Sequence, residues 1–232
     1  MERHEKLGIH FTWDACSGSV DISALEGCEC WAGLDLASTS DVTALVLVFP
    51  EDDGGFTILP FFWVPRDTKR TQSEKQMYDT WIKQGLLTAT DGDVCDYDVI
   101  REDVKDLSER FMIQEIAYDR WNASQLVTQL QNDGANMVQF GQGFASMSAP
   151  SKEWEKQIKG RTLRHGANPV LRWMMSNCAV KSDPAGNLKP AKDKSTGKID
   201  GIVAGIMALG RATVSETHTS IYETQPLTVI GA

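Results

Sequence analysis

The chain lacks any apolar run long enough to cross a bilayer. Its longest, "ALVLVF" and "GIVAGIMALG", fall far short of the roughly 20 residues a spanning helix needs. The opening "MERHEKLGIHF" has no apolar core of a signal peptide, so a soluble, intracellular protein is expected. Cysteine is sparse. Five thiols, Cys16, Cys28, Cys30, Cys95 and Cys178, are an odd number at irregular spacing, which argues against a disulfide framework and for reduced thiols in a cytosolic compartment. His4 and His10 could in principle join Cys16, Cys28 and Cys30 around zinc, but their spacing fits no usual zinc pattern. There is no internal repeat or low-complexity tract, and nothing matches G-x-x-x-x-G-K-[ST], the loop that cradles nucleotide phosphates.

Positive charge is also in deficit, with 23 Lys and Arg against 32 Asp and Glu and a net charge of −9. The deficit is uneven. Residues 152–198 hold eleven bases and four acids, whereas residues 91–109 hold eight acids and two bases. The second stretch reads as a solvated acidic face. The first can form a phosphate-facing patch in an acidic body, or can simply be ordinary surface lysines.

What is present, in 232 residues of which 41% are hydrophobic, is material for one sizeable core. Residues 1–29 show no sustained periodicity and read as a linker or a tail packed on the domain. From residue 30, "CWAGLDLA", "VTALVLVF" and "GFTILPFFWV" predict three strands, the last two joined by the turn sequence "PEDDGG" and the set forming an antiparallel meander. "RTQSEKQMYDTWIKQGLL" and "YDVIREDVKDLSERF" predict helices, "IQEIAYD" a strand, "ASQLVTQLQNDG" a helix and "NMVQF" a strand. "SKEWEKQIKG" and "KIDGIVAGIMALGRA" predict further helices. Strand–helix alternation after a meander implies an α/β domain over 30–213, a mixed central sheet flanked by helices, with 214–232 as a C-terminal tail.

Three acids stand out. Strand alternation puts Leu34 and Leu36 on one face and Gly33, Asp35 and Ala37 on the other. Asp35 therefore interrupts an apolar strand beside small neighbours, where a partly buried carboxylate has room for a cation; a salt-bridged or edge-exposed Asp is the plainer reading. Asp119 ends "IQEIAYD", where a turn Asp is common. Asp200 opens the last helix, where an acid can serve as a cap, yet the steps to Val203, Ala204 and Met207 place it at the head of the buried stripe, pointing towards the sheet. Carboxylates from three rigid elements suit magnesium or manganese, and two such cations about 4 Å apart hydrolyse a phosphodiester by activating water and stabilising the leaving oxygen.

The order and intervals of "WAGLDLASTSDVTALVLVFP", "PFFWVP", "IAYDRWNASQLVTQL", "HGANPVLRWMMSN" and "KIDGIVAGIMAL" resemble the C-terminal nuclease domain of the large terminase subunit of tailed bacteriophages, over residues 30 to 212. The resemblance implies a ribonuclease H-like (resolvase-like) fold and a metal-dependent endonuclease that cuts concatemeric viral DNA in the cytoplasm of the infected bacterial host. It implies metal ligands at Asp35, Asp119 and Asp200, with Asp41 as a further acid near the first strand, and two divalent ions, Mg2+ or Mn2+. Implied partners are double-stranded DNA, held through phosphates with little sequence preference, and, in the full motor, the terminase ATPase domain, the small terminase subunit and the portal. Arg120 could approach phosphate, His165 in "RHGANP" could assist, and "DPAGNLKPAKDKSTGK" reads as an exposed basic hairpin or loop contacting DNA. Gly201 leaves no second acid directly after Asp200. With about 30 residues before the first strand and no phosphate loop, an isolated nuclease domain without ATPase is expected. The three acids suit a resolvase or transposase on the same fold equally, and a non-catalytic docking module of a packaging motor would leave them structural.

Overall fold

A computed structural model of the chain describes residues 4–6, 10–36, 42–120 and 124–216. The chain runs β1 (His4–Lys6), α1 (His10–Asp14), α2 (Ile22–Leu25), β2 (Glu29–Asp35), β3 (Thr43–Pro50), β4 (Phe56–Pro65), α3 (Gln72–Lys83), β5 (Thr88–Thr90) and α4 (Tyr97–Arg110). It continues with β6 (Met112–Tyr118), α5 (Ser124–Asn132), β7 (Met137–Gln139), α6 (Phe144–Gly160), β8 (Leu163–Arg164), α7 (Pro169–Asn177), β9 (Ala179–Ser182), β10 (Leu188–Pro190) and α8 (Asp200–Glu216).

The main sheet has the order β5-β4-β3-β2-β6-β7, with β8 pairing the start of β4. β2, β3 and β4 form the expected antiparallel meander, while β6 joins β2 and β7 joins β6 in parallel. β3 is buried along nearly its whole length because helices cover both faces of the sheet. Alternation separates two cores. Leu34, Leu36, Leu45 and Leu47 lie with Ile100, Val104, Leu126 and Leu130 of α4 and α5. Trp31, Ala44, Val46 and Val48 lie on the other side with Trp154, Leu171 and the apolar stripe of α8.

Local chemistry sets several boundaries. Thr71 and Glu74 form a reciprocal capping box at the start of α3, and Asn168 caps α7 with Pro169 in its first turn. The predicted "SKEWEKQIKG" helix begins much earlier, at Phe144, and carries Pro150 inside it. Proline normally argues against a helix interior. Here it is buried and lies at Gly210 of α8, where an added Cβ would come within 3.1 Å of the Pro150 Cβ, so tertiary packing overrides the local penalty. The segment before β2 also contributes to the core, through Trp13 and Cys16.

α8 approaches the sheet unusually closely. A Cβ on Gly33 would lie 2.0 Å from the Ala204 carbonyl oxygen, so only glycine lets the helix backbone rest on β2 there. Further along, Arg211 grips Glu115 of β6 through two hydrogen bonds of 2.5 and 3.1 Å. Together these contacts fix the helix across β2 and β6 and hold its first residue, Asp200, over the end of β2.

Candidate metal centre

Asp35 is the last residue of β2 and is 3% exposed; Asp200 is the first of α8 and is 6% exposed. The structure brings these two acids together around a cation that sequence reasoning did not single out. Lys192 Nζ lies 2.6 Å from Asp35 Oδ2 and 3.0 Å from Asp200 Oδ1. The Lys192 side chain is 44% exposed, yet its ammonium is turned in between the acids, the reverse of the usual arrangement in which a lysine stem is covered and its charge faces water. Gln142 Nε2 donates to Asp35 Oδ1 at 3.3 Å, and the backbone carbonyl of Gln142 accepts from Lys189 Nζ at 2.8 Å. A cavity of about 220 Å3 lined by Gln142, Lys189, Lys192 and Asp193 opens beside the pair.

The electrostatics are unbalanced. Burial raises the Asp35 pKa well above the ordinary carboxylate value; Lys192 pulls it back and the nearby charge of Asp200 pushes it up again. Burial works against the Lys192 charge too, but the two carboxylates outweigh it and hold the lysine protonated. One ammonium thus serves two buried carboxylates. Asp35 Oδ2 has it close by without an aligned hydrogen bond, and Asp200 Oδ2 is buried with no hydrogen-bond partner among the described residues. A hard divalent cation needs this kind of oxygen-only, anionic and under-satisfied seat, so the residues present fit one.

Asp119 immediately follows β6. Leu34 pairs with Tyr118 in the parallel β2–β6 ladder, so Asp119 stands at the neighbouring strand end, one step beyond that pair, as Asp35 does. It is half-buried, and among the described residues no three His, Cys, Asp or Glu side chains are gathered closely enough to hold an ion. Two of the three expected acids therefore share one cation, Lys192, and the third stands at the adjacent strand end. Asp41 lies outside the described residues. Arg120 is exposed in the turn after Asp119. A Cβ at Gly201 would meet Phe62, Leu171 and Met174 at 2.8 to 3.0 Å, so the position after Asp200 has no room for another acid.

The other expected participants have different surroundings. His165 is buried, stacks on Trp13 with ring centroids 4.2 Å apart, and places Nε2 2.8 Å from the Trp13 carbonyl oxygen. That is a packing role. Burial lowers its pKa, and no acceptor among the described residues faces Nδ1, where the second proton would add. Below about pH 6.5 the unfolded chain binds a proton that the folded chain resists, so stability falls on acidification. Thermal melting between pH 7 and pH 5 is expected to show this decline, with a shallower slope in His165→Gln; an unchanged slope would assign the decline to other groups.

The zinc arrangement does not form among described residues, because Cys16 and Cys30 lie in the separate cores on opposite sides of the sheet. Burial also pushes the Cys30 thiol up to about 12 and raises that of Cys16, away from the thiolates zinc requires. The basic stretch 183–198 begins as the turn of the β9–β10 hairpin, which pairs with β1. Its Lys189 and Lys192 are turned inward, to Gln142 and to the acid pair. A groove of about 550 Å3 on the outer edge of β4, lined among others by Phe61, His165 and Pro169, contains none of Asp35, Asp119 and Asp200.

A mixed sheet with three antiparallel strands followed by two parallel ones, and an acid pair where the central strand meets the last helix, defines a nuclease domain of ribonuclease H-like fold. Sequence comparison narrows the class. The family described as "Terminase large subunit, endonuclease domain" matches residues 1–216, and the chain belongs to that family. The large terminase subunit of Enterobacteria phage HK97 is 37% identical over 204 residues, 86% of this chain and 40% of that protein. Protein YmfN of Escherichia coli K12 is 30% identical over 223 residues, 90% of this chain and 49% of that protein. The chain thus spans half or less of the length of these curated relatives. The crystal structure of the HK97 large terminase superposes with a TM-score of 0.83 at 34% identity, covering 90% of this chain and 44% of that one. The large terminase nuclease of thermophilic phage G20c, solved with bound magnesium, shares the fold at a TM-score of 0.56 and 11% identity, over 88% of this chain and 96% of that one; it was also solved with bound cobalt.

Proposed function

We propose that this chain is the DNA-cutting part of a genome-packaging motor, a metal-dependent endodeoxyribonuclease that hydrolyses phosphodiesters of concatemeric viral DNA. The observation that carries the reading is the acid pair: two buried carboxylates from different elements, one shared ammonium and an unpaired Asp200 Oδ2. Asp35, Asp119 and Asp200 would hold two divalent ions, Mg2+ or Mn2+, with Asp41 as a further ligand. When bound, such ions lower the pKa of water and offset charge on the leaving oxygen. The G20c nuclease with magnesium or cobalt supports divalent metals on this fold.

The chain's own residues then have distinct tasks. Gln142 fixes the orientation of Asp35 through Oδ1 and leaves Oδ2 directed at the shared site. Gly33 and the Arg211–Glu115 pair hold α8, and thus Asp200, at constant height above β2. Lys192 neutralises part of the acid charge before loading and, once released, presents a cation to a phosphate at the same place. In the full motor the partners would be the ATPase domain, the small terminase subunit and the portal. DNA would be held through its backbone, with little base preference. The test is nicking and linearisation of supercoiled plasmid at low salt. Cutting is expected with Mg2+ or Mn2+ and not with EDTA, and cutting that survives EDTA would reject the proposal.

A further inference from the structure

The sheet end that carries Asp35 continues sideways into a second basic feature. In the ladder Asp35 pairs with Ala44, and Ala44 pairs with Phe62 of β4, which runs on to Pro65 at the same end of the sheet. Beyond Pro65, the turn and the outer face of α3 enclose a groove of about 630 Å3 whose walls carry Arg66, Lys69, Arg70, Lys75 and Lys83. Its acids are Asp67 and Asp79.

Many cations of this acid-rich chain are spent on neighbours: Arg66 on Asp91, Arg101 on Asp133, Arg110 on Glu26, Arg164 on Asp53, Arg172 on Asp14 and Lys159 on Glu155. Lys69, Lys75 and Lys83 are exposed and have no ion-pair partner among the described residues, although Asp67 and Asp79 line the same groove. Arg70 is fixed as a wall, donating to the Pro65 carbonyl at 2.8 Å and lying 4.7 Å from the Tyr78 ring centroid. Two strand spacings and a few residues of extended chain put the groove on the order of 15 Å from the acid pair, roughly four base pairs along a duplex.

We propose that this groove between the β4–α3 turn and α3 is a second DNA-backbone site, in which Lys69, Lys75 and Lys83 hold phosphates of the duplex flanking the cut. It rests on the nuclease reading above. Three ammonium groups without ion-pair partners among the described residues give charge-driven holding through phosphates, with little dependence on sequence. The groove anchors the duplex to one side of the acid pair, so the cut is made at a fixed offset from a held segment.

The test measures binding of a 40-base-pair duplex by fluorescence anisotropy in EDTA over a salt series, for the wild type and the triple variant Lys69→Gln, Lys75→Gln, Lys83→Gln. The expected result is at least 10-fold weaker binding at low salt and a log–log salt slope shallower by about two to three, since each lysine on a phosphate contributes about one. A control triple at Lys105, Lys156 and Lys159, on α4 and α6, carries the same change in net charge and is expected to keep the wild-type slope. Equal losses in both triples reduce the effect to overall charge and overturn the groove. A wild-type slope in the groove variant, with metal-dependent plasmid cutting intact, overturns the groove and leaves the nuclease reading standing. A wild type that neither binds nor cuts overturns both. Melting temperatures close to wild type show that the variants fold.

Discussion

Asp200→Asn and Asp35→Asn are each expected to reduce metal-dependent plasmid cutting by more than about 100-fold, because loss of a direct ligand should exceed the 10 to 100-fold typical of losing a group that only supports one. The melting temperature separates this effect from misfolding, and for Asp35 the sign is fixed by burial. Its pKa is raised, so the folded state prefers the protonated acid, and the stability this confers at low pH is lost as pH rises through the folded pKa. Ionised Asp35 at neutral pH is therefore a burden on the fold, offset only in part by Lys192. Asparagine keeps the shape, removes the buried charge and leaves Lys192 its contact with Asp200. Asp35→Asn should melt at or above the wild-type temperature while failing to cut. A variant that cuts normally, or one that loses activity only in proportion to lost folded protein, would remove Asp35 from the machinery.

Gly33→Ala is the second large effect, and it acts through backbone. The new methyl group would sit 2.0 Å from the Ala204 carbonyl oxygen and 2.9 Å from its carbon, contacts that no rotamer change relieves. Either β2 or α8 must move. Overpacking of this kind costs about 3 kcal/mol, equivalent to a fall in Tm of roughly 6–12 °C for a chain of this size. The shift would also separate Asp200 from Asp35, since Ala204 is one helical turn beyond Asp200 and Gly33 two residues before Asp35. Cutting should fall even at temperatures where the variant remains folded, and metal should bind more weakly. If Gly33→Ala melts within about 1 °C of the wild type, α8 is not pinned as described.

The sequence carried much of this in patterns of short range. Period-two alternation assigned Gly33 and Asp35 to one face and Leu34 and Leu36 to the other, and the two cores are divided that way. The helical stripe through Val203, Ala204 and Met207 placed Asp200 towards the sheet, where it is found. What stayed hidden depended on contacts distant in sequence. Lys192 was one lysine in a basic stretch, and its meeting with Asp35 bridges 157 positions that no local period links. The space expected beside Asp35 exists for α8, whose backbone fills the place a side chain at Gly33 would take. Pro150 concealed the first half of α6 because the residue that breaks isolated helices is here packed against Gly210. Trp13 gave no periodic signal from a five-residue helix, yet it stacks on His165, 152 positions away.

In the proposed function the Asp35–Asp200 pair is a metal seat held by Lys192 until a cation arrives. Crystals grown without metal and then soaked in Mn2+ test it directly by anomalous scattering. The account predicts a peak within coordination distance of Asp35 and Asp200 and the Lys192 ammonium displaced from between them. Manganese bound elsewhere, with Lys192 still bridging the two carboxylates, would contradict it.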